Sequence, residues 1–208
     1  MEIPESAIRP RKLGRPLSFD RDVALNQAML AFWRHGYETT SIADLTAAMG
    51  VSAPSLYAAF GDKKQLFLEA VHLYAGAPED TAKAIGEAPT SLEAARRLLT
   101  AAATAYTGET TPRGCLLASA TASGSAACAD VQDAVAEVRR GVQRSLRERI
   151  EQDIATTALP ATTDATALSM LVMAIMQGLS VLARDGAPRN LLLATVEAAL
   201  RAWPSDVN

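Results

Sequence analysis

Apolar side chains recur at helical spacing through the first 75 residues, and small polar residues or glycines interrupt them. The first such set occupies one face of a helix: Leu25, Ala28, Met29 and Phe32. The pattern predicts that this helix begins near Asp20, since an acidic residue suits a helix N-terminus. It should end at Gly36, because glycine readily takes the conformation that follows the last helical turn.

Two very short helices are predicted next, separated by a glycine. Thr40 or Ser41 can cap the first of them, with Asp44 in a capping-box position behind Ser41. Gly50 ends it, Ser52 can cap the second, and Pro54 falls in the first turn, where its missing N–H does no harm. Two short helices joined by a glycine-containing turn are typical of a helix-turn-helix, whose second helix enters the major groove of DNA.

The remainder of the chain is predicted to be helical as well. A fourth helix follows Asp62, and the stretch from Gly76 to Pro89 leaves open either a break or a short helix. Further helices are expected near 91–107, 115–123, 127–155, 164–184 and 188–202. The expected fold is all-α, with a flexible basic arm at 1–18, a three-helix helix-turn-helix DNA-binding domain at 19–75, and a larger helical domain at 76–208.

The helix predicted at 164–184 is apolar on every face, so it needs cover on more than one side. Residues 165–183 include no charge over 19 positions, which raises the alternative of a membrane span. Polar residues within this stretch and the lack of a flanking basic cluster favour a buried helix instead. Pairing this helix and the next one with a second copy of the chain predicts a homodimer. The side chains expected at its interface are Leu168, Leu171, Ile175, Leu179, Leu192, Val196 and Leu200.

Charge is distributed unevenly along the chain. The net charge is −3, yet residues 9–64 carry eight basic and five acidic side chains. A basic end on an acidic protein indicates a polyanionic partner, although ordinary surface scatter remains an alternative. The basic side chains of the arm are Arg9, Arg11, Lys12 and Arg15. The N-terminus has no apolar signal region and the chain holds two cysteines, which favours the cytoplasm and reduced thiols.

The segment "GYETTSIADLTAAMGVSAPSLYAAFGDKKQLF" resembles the N-terminal domain of the tetracycline-repressor (TetR/AcrR) family of bacterial transcription regulators. The similarity runs over about 50 residues, from Val23 to Val71. It implies that residues 76–208 form a ligand-binding and dimerisation domain. The protein would then be a homodimeric regulator, most simply a repressor, that binds a palindromic DNA operator and leaves it when a small, apolar effector occupies this larger domain. No cofactor, metal or membrane partner is expected.

The resemblance also implies roles for individual residues. Thr40 and Ser41 are expected near backbone phosphates, and Tyr57 and Lys63 are expected to contact phosphates directly. The basic arm is expected to reach the minor groove or the backbone. The recognition helix is expected to present Ser52, Ala53, Pro54 and Ser55. Alanines at 58 and 59 leave little for direct base readout, so DNA shape and phosphate contacts are expected to carry much of the recognition.

The effector site is less well defined by the sequence. The residues considered as its lining are Tyr106, Cys115, Met173 and Gln177. Cys115 admits a second hypothesis, a thiol that senses oxidants or electrophiles, against the simpler one of a small buried side chain. A helical protein-interaction module is the competing class of function. An enzyme is not indicated, since the chain holds two histidines and none of the common catalytic or metal-binding motifs.

Overall fold

The structure is a computed structural model that describes residues 19–119 and 129–204. Within these residues all regular secondary structure is α-helical, in agreement with the predicted fold class. The helices are α1 (Arg21–His35), α2 (Ile42–Met49), α3 (Ala53–Phe60), α4 (Lys63–Ala75), α5 (Pro78–Gly86), α6 (Ser91–Ala105), α7 (Leu116–Ser119), α8 (Ala129–Ala155), α9 (Ala165–Arg184) and α10 (Arg189–Leu200).

Helices α1 to α4 pack around a small aromatic core. The Asp20 side chain caps α1 by accepting from the backbone N–H groups of Asp22 and Val23, and Gly36 ends the helix at φ 85°, so both predicted limits are confirmed. Phe32 of α1 meets Phe67 of α4 edge-on, with ring centroids 5.0 Å apart. Since α2 and α3 bury their apolar faces on α1 and α4, this core fixes the angle between the two short helices.

A short helix occupies the stretch for which the sequence left two outcomes open. Gly76 ends α4 at φ 69°, a left-handed conformation that glycine adopts without strain, and α5 begins two residues later at Pro78. Ile85 is the buried side chain of α5. The chain therefore bends between α4 and α5 instead of continuing as one helix.

The remaining helices form the larger part of the molecule, in which α8 packs against α5 on one side and α9 on the other. A buried ion pair between Arg149 and Asp153 of α8 holds the α5–α6 loop. The Arg149 guanidinium donates to the carbonyls of Ala88 and Pro89 at 3.2 and 2.8 Å, and Asp153 accepts from the Ser91 N–H at 2.6 Å. The end of α5 and the start of α6 are thereby tied to the last turns of α8.

Helix α9 is long and apolar enough to cross a membrane by length and composition, with a mean hydropathy of 1.8 over its most apolar window. Core helices of soluble proteins meet the same criterion. Here one face of α9 lies on α6, α8 and α10, and the other faces outward.

The structure reassigns most of the side chains expected at the dimer interface. Five of them are buried within one chain and belong to its own core: Leu168, Leu179, Leu192, Val196 and Leu200. Ile175 is half-buried, and Leu171 is exposed. The sequence could not distinguish the side chains of the chain's own core from the exposed ones, because a helix that is apolar on every face does not show which face turns inward.

A different set of side chains forms an outward stripe along α9 and the start of α10. We call it the exposed apolar face; it consists of Met170, Leu171, Val181, Leu182 and Leu191. These residues are five of the eight large hydrophobic side chains that are exposed in the described part of the chain. Such a concentration is typical of an interaction surface.

Candidate nucleic-acid interface

The turn between α2 and α3 is built from local hydrogen bonds. Ser41 and Asp44 form a complete capping box at the start of α2, as the sequence predicted. The Ser41 hydroxyl and N–H donate to the Asp44 carboxylate at 2.6 and 2.9 Å and hold the pKa of that carboxyl below its usual value. Gly50 then ends α2 in the left-handed conformation at φ 66° and ψ 30°, which lets the chain reverse into α3 within two residues.

Helix α3 turns its small and polar residues outward. Ser52 caps the helix by accepting from the Ser55 N–H at 3.3 Å, and the two serine hydroxyls lie 2.9 Å apart. Leu56 and Phe60 are buried beneath it. The residues on the outer side that are exposed or half-buried are Ser52, Ala53, Pro54, Ser55, Tyr57 and Ala58. Tyr57 is 49% exposed, so its ring and hydroxyl project from this surface.

Arg21 holds α3 in place, a role that the sequence did not predict. Its guanidinium donates to the Ala59 carbonyl at 3.3 Å and to the Glu69 carboxylate at 2.8 and 2.7 Å. The same group lies 4.4 Å from the centroid of the Phe60 ring. One side chain of α1 therefore joins the last turn of α3 to α4. Nothing local in the sequence signals this contact, since its partners are 38 and 48 residues away.

Thr40 and Ser41, both expected near phosphates, hold different positions. The Thr40 side chain is 1% exposed, and its hydroxyl donates to the Gly36 carbonyl at 2.6 Å. Ser41 is exposed, but its N–H and hydroxyl both donate hydrogen bonds to the Asp44 carboxylate. Thr40 therefore stabilises the loop that follows α1, and Ser41 stabilises the start of α2.

Lys63 lies at the start of α4, beside the α1–α2 loop. Its ammonium donates to the Glu38 carbonyl at 3.2 Å and lies 4.7 Å from the centroid of the Tyr37 ring. This arrangement places a cation at the N-terminus of a helix, where backbone N–H groups also favour an anion. The neighbouring Lys64 pairs with Asp130 at the start of α8. Four further predicted contacts lie outside the described residues: Arg9, Arg11, Lys12 and Arg15.

The segment around Gly114 connects the helix-turn-helix to the rest of the protein. The Trp33 indole N–H of α1 donates to the Gly114 carbonyl at 3.0 Å. On the other side the Cys115 N–H donates to the Ser180 hydroxyl of α9 at 2.8 Å. A side chain at 114 would meet Arg184 at 2.6 Å and the Ser180 carbonyl at 3.0 Å, so only glycine fits here. The Gly114 segment therefore joins α1 to α9 by one hydrogen bond on each side.

The four residues considered for the effector site do not lie together on an open surface. Tyr106 and Cys115 are each 4% exposed, and the Tyr74 hydroxyl lies 3.4 Å from the Cys115 sulfur. Burial, together with the nearby thiol, raises the pKa of both tyrosines well above the usual value. Met173 and Gln177 are half-buried on α9. The second cysteine, at position 128, is outside the described residues.

Two family models together match most of the chain. Residues 24–70 match bacterial regulatory proteins of the tetR family, and residues 91–199 match the tetracyclin repressor-like C-terminal domain. The first match covers α1 to α4 apart from their outermost residues, and the second runs from the start of α6 into α10. The chain thus matches one known type of domain over α1 to α4 and another from α6 into α10.

Individual relatives are similar over nearly their whole length. The chain is 35% identical to the HTH-type transcriptional repressor ComR of Escherichia coli K12 over 93% of both chains. Among solved structures, it is 43% identical to a cysteine-substituted variant of the regulator CifR in complex with 26 bp of double-strand operator DNA. That match has a TM-score of 0.85 and covers 92% of this chain and 100% of the other. A regulator from Rhodococcus sp. RHA1 is 39% identical, with a TM-score of 0.60 over 89% and 100% of the two chains.

Proposed function

Because the chain belongs to the tetracycline-repressor family of bacterial transcription regulators, we propose that it represses transcription as a homodimer on a palindromic operator and is released by a small-molecule effector. The observation that carries this proposal is α3, whose outer face is small, polar and exposed, while buried Leu56 and Phe60 hold it rigidly on the protein. A helix of this kind can approach base edges closely without deforming. Such an activity on DNA takes place in the bacterial cytoplasm.

The proposed DNA contacts follow from what each side chain has to offer. The Tyr57 hydroxyl donates to a phosphate, and Lys63 adds positive charge at the start of α4. Ser55 is placed to reach a base edge, whereas Pro54 and the alanines offer only van der Waals contact with groups such as a thymine methyl. Thr40 is proposed to position α2 from within, because its hydroxyl is buried and already bonded.

The proposed dimer brings two such surfaces onto one duplex. The exposed apolar face supplies the contact between subunits, and a two-fold axis through it makes the recognised DNA palindromic. The relative CifR was solved on an operator of 26 bp, a length that holds two half-sites one or more helical turns apart. Release by an effector requires only that the bound ligand favour a state in which the two α3 helices are wrongly spaced.

Removing the Tyr57 hydroxyl tests the proposed interface. Tyr57→Phe should weaken binding to the DNA flanking the coding region by about tenfold, as expected for the loss of one hydrogen bond to a charged group. The loss should be similar on unrelated duplexes, since a phosphate contact carries no sequence information. Fluorescence anisotropy with both duplexes measures this, and circular dichroism checks that the fold is unchanged.

Salt dependence provides the second measurement. The unaltered dimer should lose roughly 1,000-fold in affinity between 50 and 200 mM salt if it makes about six phosphate contacts. Ser55→Ala serves as the contrast, because it should change the preferred base at one position while the salt slope stays the same. Salt-independent DNA binding, or full affinity in Tyr57→Phe, would contradict the proposed interface.

A further inference from the structure

Tyr37 lies in the loop between α1 and α2, directly after the glycine that ends α1. Its ring is half-buried and packs on two phenylalanines of the aromatic core. The centroid of the ring lies 6.1 Å from that of Phe32 on α1 and 4.9 Å from that of Phe67 on α4. Tilted aromatic pairs at these separations attract each other, so the two helices hold the Tyr37 ring in one orientation.

The loop that carries this ring is closed by a buried hydrogen bond. The Thr40 hydroxyl donates to the Gly36 carbonyl at 2.6 Å, across the residues between them. Gly36 itself has φ 85°, a conformation that residues with a side chain rarely adopt. Because the backbone is restricted at both of these positions, Tyr37 and the Glu38 carbonyl keep a fixed place beside α1.

The ammonium of Lys63, the first residue of α4, reaches this loop. Its nitrogen lies 4.7 Å from the centroid of the Tyr37 ring and donates to the Glu38 carbonyl at 3.2 Å. A cation at this distance over an aromatic face is attracted by the electron density of the ring. A lysine side chain otherwise has many accessible rotamers, so these two contacts select a small subset of them.

We propose that Tyr37 is a positioning residue for DNA binding, because its ring holds the Lys63 ammonium where a backbone phosphate can accept from it. This inference rests on the proposed function. An ammonium has three N–H donors, so one group can serve the Glu38 carbonyl and a phosphate together. Ordering of the lysine side chain before DNA binds lowers the entropic cost of the phosphate contact.

The contact between the ring and the ammonium can be measured without DNA. In protein labelled with isotope-enriched lysine, the ring current of Tyr37 should shift the NMR signals of the methylene protons next to the Lys63 ammonium upfield of those of Lys83, an exposed lysine on α5. Loss of the signal in Lys63→Ala assigns it. Tyr37→Phe should keep the upfield shift, and Tyr37→Leu should abolish it. An unshifted Lys63 signal in the unaltered protein would overturn the positioning role.

Changing the charge distribution of the ring while keeping its shape separates attraction from packing. Tyr37→Phe is the reference, and trifluorophenylalanine introduced at the same position withdraws electron density from the ring face. Tyr37→Phe should bind the operator within about twofold of the unaltered protein, and the trifluorinated variant about fivefold more weakly than Tyr37→Phe. Fluorescence anisotropy measures both affinities, and circular dichroism checks the fold. Equal affinities of the two variants would overturn the positioning role.

A double-mutant cycle shows whether the ring acts through Lys63. In a Lys63→Ala background the two ring variants should bind the operator equally, because no ammonium remains over the ring. The matched control is Lys64→Ala, which removes an equal charge from the next residue and should leave the difference between the ring variants intact. A difference that persists in Lys63→Ala would show that the ring acts only through the fold of the helix-turn-helix, which contradicts the inference.

Failure of this inference and failure of the proposed function give different results. If the unaltered protein binds no operator, the proposed function fails and the phosphate role of Lys63 fails with it. The lysine spectrum then still decides whether the Tyr37 ring holds the ammonium. If the operator is bound and the two ring variants bind it equally well, the proposed function stands and the positioning role of Tyr37 is overturned.

Discussion

At the scale of single residues, the surface proposed to face DNA depends on side chains that are small or already hydrogen-bonded within the protein. The hydroxyls of Ser52 and Ser55 are hydrogen-bonded to each other, and the Ser41 N–H and hydroxyl both donate to the Asp44 carboxylate. Hydrogen bonds of this kind order the backbone at the start of α2 and of α3 in the free protein. Binding to DNA should therefore cost little further conformational entropy. Tyr57 is the large side chain of α3 that projects from this pre-formed surface.

One residue far from that surface holds an unfavourable backbone. Thr157, just after α8, has φ 60°, a left-handed conformation that β-branched residues avoid. Thr157→Gly should raise the free energy of unfolding by roughly 0.5–1 kcal/mol, since glycine takes this conformation without strain. Urea unfolding at a fixed protein concentration measures it. Ala155→Gly, at the last residue of α8, is the control and should destabilise instead.

At the scale of elements, α3 has only eight residues and is too short to be stable alone. Its position depends on what it packs against. Buried Leu56 and Phe60 hold one side, and Arg21 fixes its last turn through the Ala59 carbonyl. The recognition surface is thus a property of the four-helix assembly and not of α3 itself.

Arg21→Lys tests this dependence. A lysine keeps the charge but lacks the planar guanidinium that bonds Glu69 and the Ala59 carbonyl while it lies over the Phe60 ring. We expect a lower melting temperature and about a fivefold loss of operator affinity, because α3 becomes less rigid. Differential scanning calorimetry and anisotropy measure the two effects. Arg34→Lys, at an exposed position of the same helix, should change neither; equal effects in both variants would contradict the anchoring role.

The Arg149–Asp153 pair predicts how stability depends on pH. Burial alone would raise the pKa of Asp153, but the bonds from Ser91 and Arg149 outweigh it and lower the pKa below the usual value. A carboxylate with a lowered folded-state pKa contributes stability that is present above about pH 4 and is lost as pH falls further. Unfolding by urea at pH 7 and at about pH 3 should show this loss.

Asp153→Asn isolates that contribution. It should reduce the free energy of unfolding at pH 7 by about 3 kcal/mol, because it leaves the buried Arg149 without its counter-charge. It should also flatten the pH dependence. Glu151→Gln breaks an exposed ion pair with Arg147 on the same helix and should cost less than about 1 kcal/mol. A full pH dependence in Asp153→Asn would show that other carboxylates are responsible.

At the scale of the whole molecule, the exposed apolar face and the Gly114 segment lie on opposite sides of α9. One side meets the second subunit in the proposed dimer, and the other bonds through Ser180 and Arg184 to the segment that holds Trp33. Assembly and the orientation of the helix-turn-helix are therefore linked through a single helix.

Leu171→Lys tests the dimer face. A lysine ammonium in an apolar contact costs free energy in both subunits, so the dimer should dissociate and operator affinity should fall by at least 100-fold. Size-exclusion chromatography with light scattering measures the mass. Leu73→Lys is the matched control, since Leu73 is 47% exposed against 49% for Leu171 but lies on α4, away from this face. A Leu171→Lys protein that remains dimeric would place the interface elsewhere.

The sequence by itself determined the helices and the character of the N-terminal domain. The capping box of Ser41 and Asp44 and the stops at Gly36 and Gly50 depend on bonds between residues at most five apart, so spacing and residue type suffice to predict them. The same local pattern carried the resemblance to a DNA-binding family, which the family models confirm.

Only the tertiary structure decided which helix faces are buried in the core and which side chains are exposed at the surface. It buried the Thr40 hydroxyl, turned Leu168 and Leu179 into the core while Leu171 stayed outside, and brought Arg21 to Glu69 across 48 residues. These outcomes depend on contacts between residues that are distant in the chain, and no local spacing encodes which neighbour a helix face meets.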